Sequence, residues 1–169
     1  MNSIFRKAFQ EFIIEFHEKR DYFECHEIME EAWKAKPTMT KQDPEVALIM
    51  LATALYHLRR NNIQGASTLF NKTIHLLTIN AQTLNTYLDV DQLIATIKVL
   101  QQNLAYQQIM LPLKTTHHCA EVIFPTDDIV HKHKRRDRTD IIRLRQQALN
   151  NKNPIQYTPN QTHDADKSK

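Results

Sequence analysis

The chain has 169 residues, a formal net charge of +3 and a single glycine, Gly65. That length suits one hydrophobic core with a tail. One glycine excludes the Gly-rich phosphate loops of Walker or dinucleotide type and argues against a turn-dense β fold. Cysteines are two, Cys25 and Cys119. They make no disulfide framework, so a reducing, cytoplasmic location is expected. Arg6, Lys7, Glu11 and Glu15 interrupt the N-terminal segment, which therefore lacks the apolar run of a signal peptide. The most apolar stretch, 46–58, is broken by Thr53 and His57. It falls short of the roughly 20 residues that span a bilayer, so a soluble protein without membrane contact is expected.

Five helices are predicted in chain order. Ser3 is a suitable N-cap for the first, in which Ile4, Phe5, Ala8, Phe9, Phe12, Ile13 and Phe16 recur on one face. The second begins at Asp21, whose partner Glu24 completes a capping-box pattern, and runs to about Lys34. Pro37 opens a polar loop to Gln42. The third has Asp43 as cap, Pro44 in the first position and Glu45 in the first turn. Its apolar character almost all round marks it as central and buried. Arg59 and Arg60 occupy its last turn, and Asn61 and Asn62 end it. The fourth presents Ala66, Leu69, Phe70, Thr73, Ile74 and Leu77, with Gly65 near its start allowing two backbones to approach. The fifth, capped by Asp89 or Asp91, carries Leu93, Ile94, Ile97, Leu100 and Leu104.

The fold class that follows is all-α: a compact bundle of about five helices in antiparallel pairs, followed by an irregular basic C-terminal extension. Residues 1–111 form the helical domain. Residues 112–169 form the extension, with a short helix at 139–149 and a polar, disordered end.

The second helix carries the candidate chemistry. A helix advances about 100° per residue, which places His26, Glu30 and Trp33 on one stripe with Glu27 beside it. His57 interrupts the buried third helix. If the two helices pack together, His57 meets His26 or Glu30. Two imidazoles and a carboxylate can hold a divalent metal, so His26, Glu30 and His57 are the candidate metal ligands. The same groups could serve acid–base chemistry in a suitable pocket, although no residue is assigned a catalytic role and the balance leans away from an enzyme. The competing reading is a buried hydrogen-bond network that fixes helix packing, with no cofactor. The two separate on substitution, because an unpaired buried partner costs about 1–3 kcal/mol. Trp33 reads as a core tryptophan with its N–H bonded to a neighbour.

The basic charge sits elsewhere. Residues 131–145 hold seven Lys or Arg against two Asp, which is +5 and leaves −2 for the remainder of a chain totalling +3. Lys132, Lys134, Arg135, Arg136 and Arg138 could contact phosphates, giving weak, sequence-nonspecific nucleic-acid binding. No aromatics interleave them, so base stacking lacks support, and a solvated tail is the favoured reading with nucleic-acid binding as the alternative. His117, His118 and Cys119 match no standard zinc spacing.

A family resemblance rests on Tyr22-Phe23-Glu24-Cys25-His26-Glu27 with Glu30 and Trp33, then Ala54-Leu55-Tyr56-His57-Leu58-Arg59-Arg60-Asn61, then Gly65-Ala66. Together these resemble the domain-of-unknown-function 309 family, over roughly residues 5–77. The family pattern is an aromatic-rich His-Glu-x-x-Glu-x-x-Trp helix, a Tyr-His-x-Arg-Arg helix end and a glycine-started helix. The resemblance implies an all-helical fold and no particular activity. It marks His26, Glu27, Glu30, Trp33, Tyr56, His57 and Arg60 as the candidate polar cluster. Cys25 stands where the family often has Ala, a similarly small residue. The expected function is a helical binding or scaffold module with a structural polar cluster. A metal-binding protein or enzyme, and a nucleic-acid binder, are the alternatives. A homodimer is compatible with the apolar surfaces of the first and fifth helices.

Overall fold

The computed structural model describes residues 3–114, 127 and 129–131. The first helix, α1, spans Ser3–Ile14 and continues into a π-helical turn over Glu15–Lys19. Then come α2 at Tyr22–Lys34, α3 at Pro44–Arg59 and α4 at Ile63–Ile79. A single turn, α5 at Ala81–Leu84, precedes α6 at Val90–Asn103. The five predicted helices are α1, α2, α3, α4 and α6. The described residues form no β-strand beyond an isolated antiparallel bridge between Leu88 and Leu113. No helix among them is long and apolar enough to cross a membrane.

The apolar run of α3 dictates its place. It packs against α2 on one side and α4 on the other, and Leu48, Leu51 and Leu55 are fully buried. Burial of such a side chain contributes about 1.5–3 kcal/mol, so this helix is the hub of the core. On α1, the predicted face goes inward at Phe5, Phe9, Phe12 and Phe16, whose rings follow one another at 5.8, 6.3 and 5.5 Å. Ile4 departs from that face and is 40% exposed. It borders a groove of about 260 Å³ between α1 and α2, with Ala8, Ile28 and Ala32 in its lining.

Three local expectations need correction. The Asp43 side chain does not cap α3. It turns back into the preceding loop and accepts hydrogen bonds from Thr40 N, Thr40 Oγ1, Trp33 Nε1 and Lys36 Nζ. Partial burial pushes its carboxyl up, but these donors outweigh that and hold it at about 2. Gly65 does not serve a backbone approach. A Cβ there would lie 2.7 Å from Asn62 Nδ2, so the glycine makes room for the Asn62 side chain that caps α4. Finally, the chain stays packed beyond 111: Asp89 N donates to Pro112 O at 2.7 Å and Lys114 N to Tyr87 O at 3.0 Å. Units 1–134 and 135–169 divide the chain. The second unit lies outside the described residues, and with it the proposed helix at 139–149.

Candidate functional site

The α2 helix separates two faces. Asp21 Oδ1 accepts from Glu24 N at 3.0 Å, which fixes the N-terminus and hence the rotation of the helix. Tyr22, Cys25, Met29 and Ala32 then point into the core. Cys25 is a free thiol, buried against Phe12 O, and burial pushes its pKa well up. A thiol held protonated in this way is inert.

The outer face brings His26, Glu27 and Glu30 together. One ligand atom from each lies within 4.8 Å of the other two. Glu30 lies four residues after His26 and three after Glu27, spacings that place it beside both on the helix surface. His26 Nδ1 sits 3.2 Å from Glu27 Oε1, with both side chains 30% exposed. Glu30 pairs with Lys34 at 3.1 Å, also on the exposed side. Such an exposed pair is worth roughly 0–1 kcal/mol and yields readily to a cation. Phe23 flanks the group, its ring 6.4 Å from the His26 ring. The trio is thus half-open to solvent, unlike a core network.

His57 lies outside that trio. Asn62 Nδ2 donates to His57 Nδ1 at 2.9 Å, while Asn62 Oδ1 accepts from Gly65 N at 3.0 Å. The imidazole is therefore the neutral tautomer protonated at Nε2. Burial, and secondarily the Arg60 charge, holds its pKa below the ordinary range. Arg60 Nη1 donates to Tyr56 Oη at 2.7 Å and its guanidinium lies over the Tyr56 ring. Trp33 is partly buried against the core, and its Nε1 donates to Thr40 O at 3.0 Å and Asp43 Oδ2 at 3.1 Å, stapling the α2–α3 loop. Lys132, Lys134, Arg135, Arg136 and Arg138 lie outside the described residues, as do His117, His118 and Cys119.

A second polar cluster escaped the sequence reading. His17 and Arg20 are each 2% exposed. Leu111 N donates to His17 Nε2 at 2.9 Å, Arg20 Nη1 donates to Ile109 O at 2.7 Å, and the Tyr22 and Tyr106 hydroxyls meet at 3.0 Å. Together these bonds bind the segment following α6 to the junction of α1 and α2. The π-helical turn shifts the phase of α1 so that His17 joins Phe16 on the buried side. Arg20 then closes the turn at φ 55°, a conformation unusual for a residue with a side chain. Neither feature has a signal in hydrophobic periodicity.

An all-helical bundle with a polar trio on its second helix is the class these features define. The chain belongs to the domain-of-unknown-function family DUF309, whose model matches residues 9–69. It is 33% identical over 166 residues to the "Uncharacterized protein YpuF" of Bacillus subtilis (strain 168), covering 86% of this chain and 95% of that relative. No solved structure matches.

Proposed function

We propose that the protein is a helical binding module whose α2 face takes up a divalent transition-metal ion through His26, Glu27 and Glu30. The observation that supports this reading is the convergence of the three donor groups within 4.8 Å on a half-exposed face. One imidazole and two carboxylates form a mixed nitrogen–oxygen set, suited to Zn²⁺, Mn²⁺ or Fe²⁺. Three protein ligands leave coordination positions open to water or to a further ligand. The network alternative draws its cost from burial, and the exposure of these side chains weakens it.

Calorimetric titration of the metal-free protein with Zn²⁺ and Mn²⁺ tests the proposal. One site is expected in the wild type, lost in both His26→Ala and Glu30→Ala, with thermal stability changed by less than about 1 kcal/mol. Absence of binding by the folded wild type overturns it. A large stability loss in both variants with metal uptake intact would restore the network reading.

The free Cys25 thiol also supports a reducing, cytoplasmic location. Recovery of the protein in a secreted fraction would contradict that assignment.

A further inference from the structure

The junction of α1, α2 and α3 contains two arginines whose charge is not answered. Arg20 is 2% exposed. Its Nη1 reaches Ile109 O and its Nη2 only the Met110 thioether, at 3.2 Å. A thioether is a weak acceptor. Arg59 donates from Nη1 to Arg20 O at 2.7 Å and lies 4.8 Å over the Tyr22 ring. Arg20 Nε, Arg59 Nε and Arg59 Nη2 are buried and have no hydrogen-bond partner. Among the described residues, no carboxylate lies within ion-pairing distance of either guanidinium. Asp21, next in sequence and itself buried, caps α2 through Glu24 N.

The surroundings add a donor. Tyr22 and Tyr106 share one hydrogen bond between their hydroxyls, so one of the two phenolic protons is left over. The N-terminus of α2 lies next to this corner and is already capped by the Asp21 carboxylate. Asp21 is the buried carboxylate nearest in sequence, and even so three arginine N–H groups here meet no acceptor. Arg20 is buried and Arg59 part-buried, and a buried charge without an opposite partner costs free energy that an anion would offset. The geometry of the orphaned atoms is also specific. Nε and Nη2 form the side-on edge of a guanidinium, the edge that matches two oxygens of a carboxylate or phosphate in parallel. Arg59 presents that whole edge, and its orientation is already fixed by the Nη1 bond to Arg20 O.

We propose that Arg59 and Arg20 form a binding site for a small oxyanion, with the Nε/Nη2 edge of Arg59 as the bidentate clamp. Arg20 Nε and a tyrosine hydroxyl supply further donors. The segment carrying Tyr106, Ile109 and Met110 covers the site, so uptake of the anion tightens that segment onto α1 and α2. The site shares no residue with the metal trio, and its test stands independently of that reading.

The test is nuclear magnetic resonance of the arginine Nε–H groups in the full-length chain, with resonances assigned from the conservative variants Arg20→Lys and Arg59→Lys. Sodium phosphate and sodium acetate are added in separate arms, with sodium chloride at matched ionic strength as control. A saturable shift of the Arg59 and Arg20 Nε–H signals is expected with at least one oxyanion and not with chloride. Response to phosphate alone assigns a phosphate-type ligand, and response to both assigns the carboxylate-compatible form of the site. In folded Arg59→Lys, which keeps the charge but loses the fork, affinity read from Arg20 is expected to fall about tenfold, the equivalent of one charge-assisted hydrogen bond. No saturable shift with either oxyanion overturns the proposal, as does an equal affinity in Arg59→Lys.

Discussion

At the scale of single residues, His26, Glu27 and Glu30 sit in a different setting from His57, although all four stood out in the sequence. The nearness of His26 to Glu30 could be read in advance because an α-helix makes residues four apart neighbours, but the expected metal set was His26, Glu30 and His57, with Glu27 only beside it. The partner of His57 could not be read in advance, because the direction of a side chain on a helix buried all round is set by what packs there. Asn62, itself fixed by Gly65 N, supplies the partner, while burial and then the Arg60 charge lower the imidazole's pKa. A pH dependence follows. The folded-state pKa of His57 lies below 6.5, so the unfolded chain binds a proton more readily. Stability from this residue is complete above the unfolded value and falls as pH drops through about 6.5 toward the folded pKa. Thermal unfolding from roughly pH 7.5 to about 5.5 is expected to show a steeper loss in the wild type than in His57→Gln. Parallel curves for the two proteins would refute the linkage. The nine histidines of the chain make this difference, rather than the wild-type slope, the informative quantity.

At the scale of elements, helix identity and order were legible because hydrophobic spacing and caps carry them. Asp21 with Glu24, and Asp89 ahead of α6, act as caps as their positions suggest. Asp43 shows where that logic ends: a carboxylate with four donors from the adjoining loop and the end of α2 is worth more there than at the helix end. The π-helical turn was not legible, since an inserted residue changes the phase of the helix without changing its composition. The α3–α4 corner gives a direct test. An alanine in a helix normally gains about 1 kcal/mol over glycine. At position 65 the added methyl would displace Asn62, which both caps α4 and bonds His57. Gly65→Ala is therefore expected to lower the melting temperature, with a net loss on the order of 1 kcal/mol. An increase in melting temperature would show that Asn62 relocates at no cost.

At the scale of the whole molecule, the described residues form a helical core closed by an irregular segment. Composition predicted the core and placed the boundary at 111, where prolines and threonines begin. It gave no hint that 104–114 is tied down, because the partners of that segment, His17 and Arg20, lie some 90 residues earlier in the chain. Ile109 and Leu111 are buried and Leu113 packs against the core. A chain ending after Asn103 would leave His17 and Arg20 without these partners and expose Tyr22 and its neighbours. A loss of at least about 3 kcal/mol is expected from the combined apolar and hydrogen-bond terms. Retention of the full-length unfolding midpoint in that truncation would show the segment to be an accessory.

The central claim is that α2 binds metal through His26, Glu27 and Glu30, and Mn²⁺ can report on it by position. The ion broadens nuclear resonances steeply with proximity, so a titration of the folded full-length chain with Mn²⁺ locates the site without a variant. Selective loss of the His26 ring signals, with those of His57 and His75 retained, is the result expected. Uniform broadening across the histidines, or none at His26, would contradict it.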